Sequence, residues 1–255
     1  MRLLIKLGGT LLDAEESRER LAKEISSLVP EHQVVVVHGG GKQMTRFLAE
    51  RGVESRFVNG LRVTTPDVVD AVVKVFAGSV NTQLVAAFRR AGARPVGLTG
   101  LDAGLVDAEI LSPDLGQVGR PISSDASLLE TLTREHYLPV VACIAGDARG
   151  TIYNVNGDQM AAACAAAFRA EKLLFLTDVE GVRDGQGQPL ESLTVAQSRE
   201  LIQSGVATGG MQAKLEAATS ALAKLVPVVL VGPGAYPGII EQMLSGSRIG
   251  TRLTR

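Results

Sequence analysis

An α/β fold is the class the sequence predicts: a three-layer sandwich, with helices on both faces of an open, mainly parallel sheet. Short apolar runs recur as unbroken stretches, as strands buried on both faces require. Amphipathic segments separate them, and strand–helix alternation calls for right-handed crossovers. A third observation locates the chemistry. Lys6-Leu7-Gly8-Gly9-Thr10 and His38-Gly39-Gly40-Gly41-Lys42 each stand where a strand hands over to a helix. Glycine there lets backbone N–H groups approach an anion closely. Two such cradles suit two anionic groups held face to face, the geometry of phosphoryl transfer.

The elements follow in order. Leu3–Leu7 is apolar except for Lys6 and reads as the first strand, followed by a helix over Ser17–Leu28. The valine run Val34–Val37 gives a strand, then helices over Gln43–Arg51 and, after a proline start, Pro66–Ala91. Pro95–Leu98, Pro139–Ile144, Leu173–Leu176 and Val228–Val231 are the remaining core strands. Helices are expected over Ser124–Glu135, Asp158–Phe168, Val195–Gln203, Met211–Leu222 and Ile239–Leu244. Asp102–Ile122 breaks the rhythm with Gly104, Pro113, Gly116, Gly119 and Pro121; it reads as antiparallel hairpins beside the sheet, a lid over a ligand. Asp184–Pro189 is a turn-rich loop. A division near Ile144–Asn154 would give an N-terminal substrate half and a C-terminal nucleotide half sharing one sheet.

The chain has 255 residues, 45% hydrophobic and 21% charged, enough for a sizeable core. Its 26 basic and 27 acidic residues leave a net charge of −1, which argues against a nucleic-acid partner. Cys143 and Cys164 lie in apolar surroundings, and His32, His38 and His136 lack ligand spacing, so neither a disulfide framework nor a metal centre is expected. The first apolar run is too short for a signal peptide, and no run reads as a membrane span; a cytoplasmic protein is expected.

Several familiar patterns fail. Gly41-Lys42 is followed by Gln43, and Val36 stands where a phosphate-binding G-x-x-x-x-G-K-[ST] loop needs glycine. Met44 replaces the third glycine of G-x-G-x-x-G, which disfavours a dinucleotide-binding dehydrogenase.

Other residues stand out singly. Lys6 either snorkels to solvent or points at a phosphate on Gly8-Gly9. Arg62, after the Asn59-Gly60 turn, is a solvated arginine or a clamp on a substrate carboxylate. In Asn154-Val155-Asn156-Gly157-Asp158, Asp158 is a helix N-cap or part of a polar substrate site. Thr177-Asp178-Val179-Glu180-Gly181 follows a core strand, where ligands collect in open sheets. Thr208-Gly209-Gly210-Met211 opens a helix carrying Lys214, a phosphate site by dipole and free donors. His38 reads as a hydrogen-bonded structural histidine.

Taken in order, these motifs resemble the amino acid kinase family, and within it the branch that phosphorylates N-acetyl-L-glutamate. The resemblance runs over nearly the whole chain. It implies an amino acid kinase-like fold of about eight strands in a single domain, the N-terminal half carrying substrate binding and dimerisation and the C-terminal half the nucleotide. It implies transfer of the ATP γ-phosphoryl group to the side-chain carboxylate of N-acetyl-L-glutamate, with Mg²⁺ held mainly by the nucleotide phosphates. Carried over, Gly40, Gly41, Arg62 and Asn154 would hold the acceptor; Lys6 and Lys214 would stabilise the transferring group, with Asp158 orienting both. Gly8, Gly9, Asp178, Val179, Glu180, Gly181, Thr208, Gly209, Gly210 and Met211 would frame the nucleotide.

Gly157 stands where the family more often has alanine, and Gln212-Ala213 where an aliphatic residue and proline are common. The sequence starts at its first strand, without the N-terminal helix that links arginine-inhibited relatives into hexamers; a homodimer insensitive to arginine is the expectation. Two alternatives stand beside this reading: a same-family kinase for another acceptor such as N-acetyl-aminoadipate, and a non-catalytic amino-acid or nucleotide sensor. Asn59-Gly60-Leu61-Arg62 favours the acetylglutamate branch, and Lys6, Asp158 and Lys214 together favour a catalyst.

Overall fold

A computed structural model describes residues 1–58 and 60–255. In chain order, β1 (Arg2–Leu7) leads through a short 3-10 turn, Gly9–Leu12, into α1 (Glu15–Ser26), β2 (Gln33–His38) and α2 (Gly41–Ala49). A small hairpin follows, β3 (Phe57–Val58) and β4 (Leu61–Arg62), then the long helix α3 (Pro66–Arg90) and β5 (Pro95–Thr99). β6 (Val106–Ile110), β7 (Val118–Ser124), α4 (Ser127–Arg134), β8 (Leu138–Ala142), β9 (Ile144–Gly146) and β10 (Ile152–Val155) complete the N-terminal half. The remainder is α5 (Gly157–Ala167), β11 (Lys172–Thr177), β12 (Ser192–Thr194), α6 (Val195–Gln203), α7 (Gly209–Ala223), β13 (Val228–Pro233), α8 (Ile239–Ser245) and β14 (Thr251–Thr254).

Both halves contribute to one eight-stranded sheet of order β12-β14-β13-β11-β1-β2-β8-β5. The six strands from β13 to β5 are parallel, and β14 joins β13 antiparallel at one end. The central strands hold the core: Leu3, Leu4, Ile5 and Leu7, with Val34 to Val37 and Leu173 to Leu176, are almost wholly buried. Each such side chain contributes about 1.5–3 kcal/mol relative to exposure, which is why the unbroken apolar runs were readable as strands.

The expected hairpin is present: β6 and β7 pair antiparallel and close with β9 and β10 into a small second sheet. Arg183 and Pro189 bridge across the turn-rich loop. One expectation needs correction. By length and composition alone α3 carries a stretch apolar enough to span a bilayer, and half of that stretch is buried inside the protein, as in the core helix of a globular fold. Lys74, Asn81, Thr82 and Gln83 interrupt the stretch, so no unbroken apolar run marks it in the sequence. α3 has a π-helical middle, Val73–Val80, which sets Phe76 and Val80 against the Gly40 turn.

Register positions the site. Leu7 pairs with His38 of β2 on one side and Leu176 of β11 on the other, so the three strands end level. The Gly8-Gly9 turn therefore sits between the Gly39–Gly41 turn and the Asp178 loop, along the carboxyl edge of the parallel sheet.

Candidate active site

The site is built around one buried carboxylate. Asp158 lies in the first turn of α5, 6% exposed, and its two oxygens face two different lysines. Lys6 Nζ lies 2.7 Å from Oδ1, and Lys214 Nζ donates to Oδ2 at 2.9 Å. Burial alone would raise the Asp158 pKa; the two ammonium groups outweigh it and hold the carboxyl at about 2. Lys214 is 6% exposed, and its pKa falls through burial first and the charge of Lys6 second, with Asp158 opposing both. The Lys214 ammonium also sits 5.1 Å from the centre of the Phe175 ring. Asp158 thus spaces two cations that would otherwise repel, at the edge of the cleft.

Asp158 is free for this because another residue caps the helix. Asn156 Oδ1 accepts from the N–H groups of Asp158 at 2.9 Å and Gln159 at 3.2 Å, so the helix N-cap is Asn156 and not Asp158. An asparagine just before glycine and an acidic first turn was the available signal. A side chain at Gly157 would stand 3.3 Å from Lys6 Cε, so glycine here gives the lysine stem room.

Beside the lysines lies a cleft of about 210 Å³, lined by Lys6, Gly9, Gly40, Gly41, Arg62 and Asn154 among the expected residues. Phe57, Leu61, Phe76, Val118 and Cys143 supply apolar walls that the sequence did not single out. Gly40 is required by close approach, since a Cβ there would meet the Phe76 ring at 2.8 Å. At Gly41 a Cβ would meet nothing within 4 Å among the described residues. Val118 belongs to the β6–β7 hairpin, and Phe57 and Leu61 to the shorter β3–β4 hairpin, so both hairpins border the cleft. Asn59 of the Asn59-Gly60 turn lies outside the described residues.

Arg62 is buried, and its partners are neutral. Its guanidinium donates to Ser55 Oγ, to the Gly41 carbonyl at 3.1 Å and to Thr45 Oγ1 at 2.8 Å, and stacks 4.6 Å from the Phe57 ring centre. Burial lowers its pKa without a carboxylate among these contacts to oppose it, a setting that favours an anionic ligand. Asn154 Nδ2 donates to Thr64 Oγ1 at 3.0 Å, which fixes the amide with its oxygen left to accept from a ligand N–H.

On the other side of β1 the expected nucleotide loops are open to solvent. Gly9 lines the cleft, whereas the Gly8 N–H donates to the Leu176 carbonyl at 2.9 Å. Asp178 is exposed, accepts from the Thr177 hydroxyl at 3.1 Å and raises the Lys214 pKa by its charge. Val179 is 38% exposed, Glu180 accepts from Tyr236 Oη at 3.1 Å, and Gly181 is buried against Thr251. Thr208 is the N-cap of α7, Met211 N–H returns to its carbonyl, and Gly209, at φ +54°, and Gly210 present the first N–H groups of the helix. A side chain at Gly60 would lie 3.7 Å from the Gly209 backbone, so the β3–β4 hairpin reaches the nucleotide loop.

His38 is structural, as the sequence reading expected. Its Nδ1 faces the Gly39 carbonyl and its Nε2 the Asn81 amide, both at 2.9 Å, and burial lowers its pKa to about 4. Cys143 and Cys164 are buried free thiols whose pKa values burial raises to about 12.

A fold and site of this kind belong to a known class of phosphotransferases. The model of the amino acid kinase family matches residues 1–232, and the chain belongs to that family. Its relatives include the acetylglutamate kinase of Solibacter usitatus, 59% identical over 99% of both chains. Another is the acetylglutamate kinase of Acidobacterium capsulatum, 42% identical over 96% of this chain and 95% of the relative. Among solved structures, a Streptococcus mutans protein superposes with a TM-score of 0.83 at 29% identity, covering 99% of this chain and 98% of the other. The carbamate kinase of Giardia lamblia shares the fold, with a TM-score of 0.71 at 15% identity over 99% and 98% of the two chains.

Proposed function

We propose that the chain transfers the γ-phosphoryl group of ATP to the side-chain carboxylate of N-acetyl-L-glutamate, giving N-acetyl-L-glutamyl 5-phosphate and ADP, the second step of arginine biosynthesis. The observation that carries this reading is the Lys6–Asp158–Lys214 cluster beside a cleft whose other cation, Arg62, has only neutral partners among the described residues. The full-length likeness to acetylglutamate kinases supports the choice of acceptor.

The chemistry follows from the charges. A side-chain carboxylate is ionised at pH 7, so attack on the γ-phosphorus needs no general base. A bond forms from the carboxylate oxygen to phosphorus as the bond to the bridging oxygen of ADP breaks. The obstacle is repulsion between two anions. Lys6 and Lys214 offset it on the equatorial oxygens, and the N–H groups of Gly9, Gly41, Gly209 and Gly210 add fixed donors. Asp158 holds the lysines apart and charged; its own proton affinity is too low for a base. Arg62 clamps an acceptor carboxylate, and the Asn154 oxygen receives the acetamido N–H. The nucleotide phosphates would be the main ligands of Mg²⁺, and when bound it would supply neutralisation of charge that the lysines do not reach.

A homodimer in the cytoplasm is the assembly and setting we infer. Light scattering on a size-exclusion column would correct this by returning a monomer or a hexamer. The activity itself is tested by trapping the acyl phosphate as its hydroxamate, with ATP and Mg²⁺ and a panel of acceptors. Product with N-acetyl-L-glutamate is expected; turnover only of N-acetyl-aminoadipate, or ligand binding without turnover, would overturn the assignment.

A further inference from the structure

Gln43 lies in the first turn of α2 and reaches across to the other glycine turn. Its Nε2 donates to the Gly9 carbonyl at 3.2 Å and to Asp13 Oδ1 at 2.8 Å. Asp13 is also held by Arg46 at 3.3 Å. The opposite amide orientation would turn an oxygen lone pair toward a carbonyl and a carboxylate, so the surroundings fix which end donates. Gln43 Oε1 is buried and accepts no hydrogen bond from the described residues. A buried orphan acceptor costs about 1–3 kcal/mol, a cost retained where the other end of the amide is needed.

The turns that Gln43 joins are already in contact, since a side chain at Gly9 would lie 3.2 Å from the Gly41 nitrogen. The supply of donors depends on this joint. Gly8 N–H is taken by the Leu176 carbonyl, and Leu11 N–H by the Gly8 carbonyl at 3.1 Å. That leaves Gly9 and Thr10 as the turn's available N–H groups, at the start of its 3-10 helix. A trans peptide carries its C=O and N–H on opposite sides. With the Gly9 carbonyl anchored to Gln43, the Thr10 N–H is directed away from α2.

We propose that Gln43 is a positioning residue for phosphoryl transfer: its carboxamide fixes the Gly9–Thr10 peptide plane and the spacing between the nucleotide and acceptor turns. It acts through Gly9, so that donors meet the transferring group already aligned, which is where fixed dipoles gain their catalytic effect. The inference rests on the kinase reading above.

Gln43→Met keeps the length of the side chain and removes the amide. Its kcat is expected to fall about 10- to 100-fold, with KM for ATP and for N-acetyl-L-glutamate within about threefold and Tm close to the parent. A merely structural role would lower Tm and leave kcat per folded molecule unchanged. Gln43→Glu supplies a second readout independent of the methionine variant's folding. A carboxylate cannot donate to the Gly9 carbonyl but a carboxylic acid can, so its kcat relative to the parent should rise as pH falls from about 8 to 5.5. A Gln43→Met kcat within twofold of the parent, or a Gln43→Glu ratio flat with pH, overturns the proposal. Lys214→Ala, assayed alongside, separates the two levels. Loss of activity there but not at Gln43 refutes only this inference, whereas an inactive parent removes the kinase reading and this inference with it.

Discussion

Asp158→Asn removes one negative charge and almost no volume, and it isolates what the carboxylate does for the two lysines. At 2.7 and 2.9 Å each contact carries a Coulomb attraction of about 6 kcal/mol at an effective dielectric of about 20, most of which the cost of burying three charges offsets. Breaking a buried pair by removing one partner costs about 3–5 kcal/mol, because a charge is left uncompensated. The protein has a cheaper response. Lys214, whose pKa burial and Lys6 already lower, would lose the opposing pull of Asp158 and shift further down. Its charged form would then be less favoured than in the parent.

The expected result is a kcat reduced about 10²- to 10³-fold at pH 7.5, the scale for losing one preorganised charge donor. Because activity needs Lys214 protonated, the ratio of variant to parent should rise as pH falls from about 9 to 6. Steady-state ADP release across that range, with Tm measured on the same samples, is the assay. A variant within threefold of the parent and with the same pH profile would refute the idea that Asp158 keeps both lysines charged.

Two further outcomes follow. Arg62→Lys keeps the charge but loses the fork that reaches Ser55, Thr45 and the Gly41 carbonyl, so KM for the acceptor should rise about 10- to 100-fold with kcat changed less; saturation kinetics against N-acetyl-L-glutamate reads this directly. His38 is held neutral, with a pKa of about 4 against 6.5 when unfolded, so its contribution is present above pH 6.5 and lost as pH falls toward 4, up to about 3 kcal/mol. Thermal melts over that range should show a shallower acid limb in His38→Asn than in the parent, provided the variant remains folded at pH 7.

The sequence was most legible where one residue type does one job. Val34 to Val37 could only be a buried strand, and the Gly39–Gly41 turn sits where β2 ends. Lys6, Arg62 and Asn154 were singled out because a polar residue broke an apolar or turn pattern, and all three line one cleft. What stayed hidden depends on contacts between distant segments. The local signal for Asn156 as the cap is weak, because Asp158 is an equally good cap type; Lys6 and Lys214 decide it by taking the aspartate. Ser55, Thr45 and Thr64 are ordinary residues until folding sets them against Arg62 and Asn154. Strands β12 and β14, at one end of the sheet, are short and alternate in burial, so they lack the unbroken apolar signal of the central strands.

In this mechanism Lys6 and Lys214 act on the transferring phosphoryl group and not on ground-state binding. Lys6→Ala and Lys214→Ala, with kcat and both KM values measured, test it most directly. In each variant kcat should fall by the equivalent of about 3–4 kcal/mol of transition-state stabilisation, with KM within about threefold. An unchanged kcat in either variant, or a loss carried wholly by KM, would contradict it.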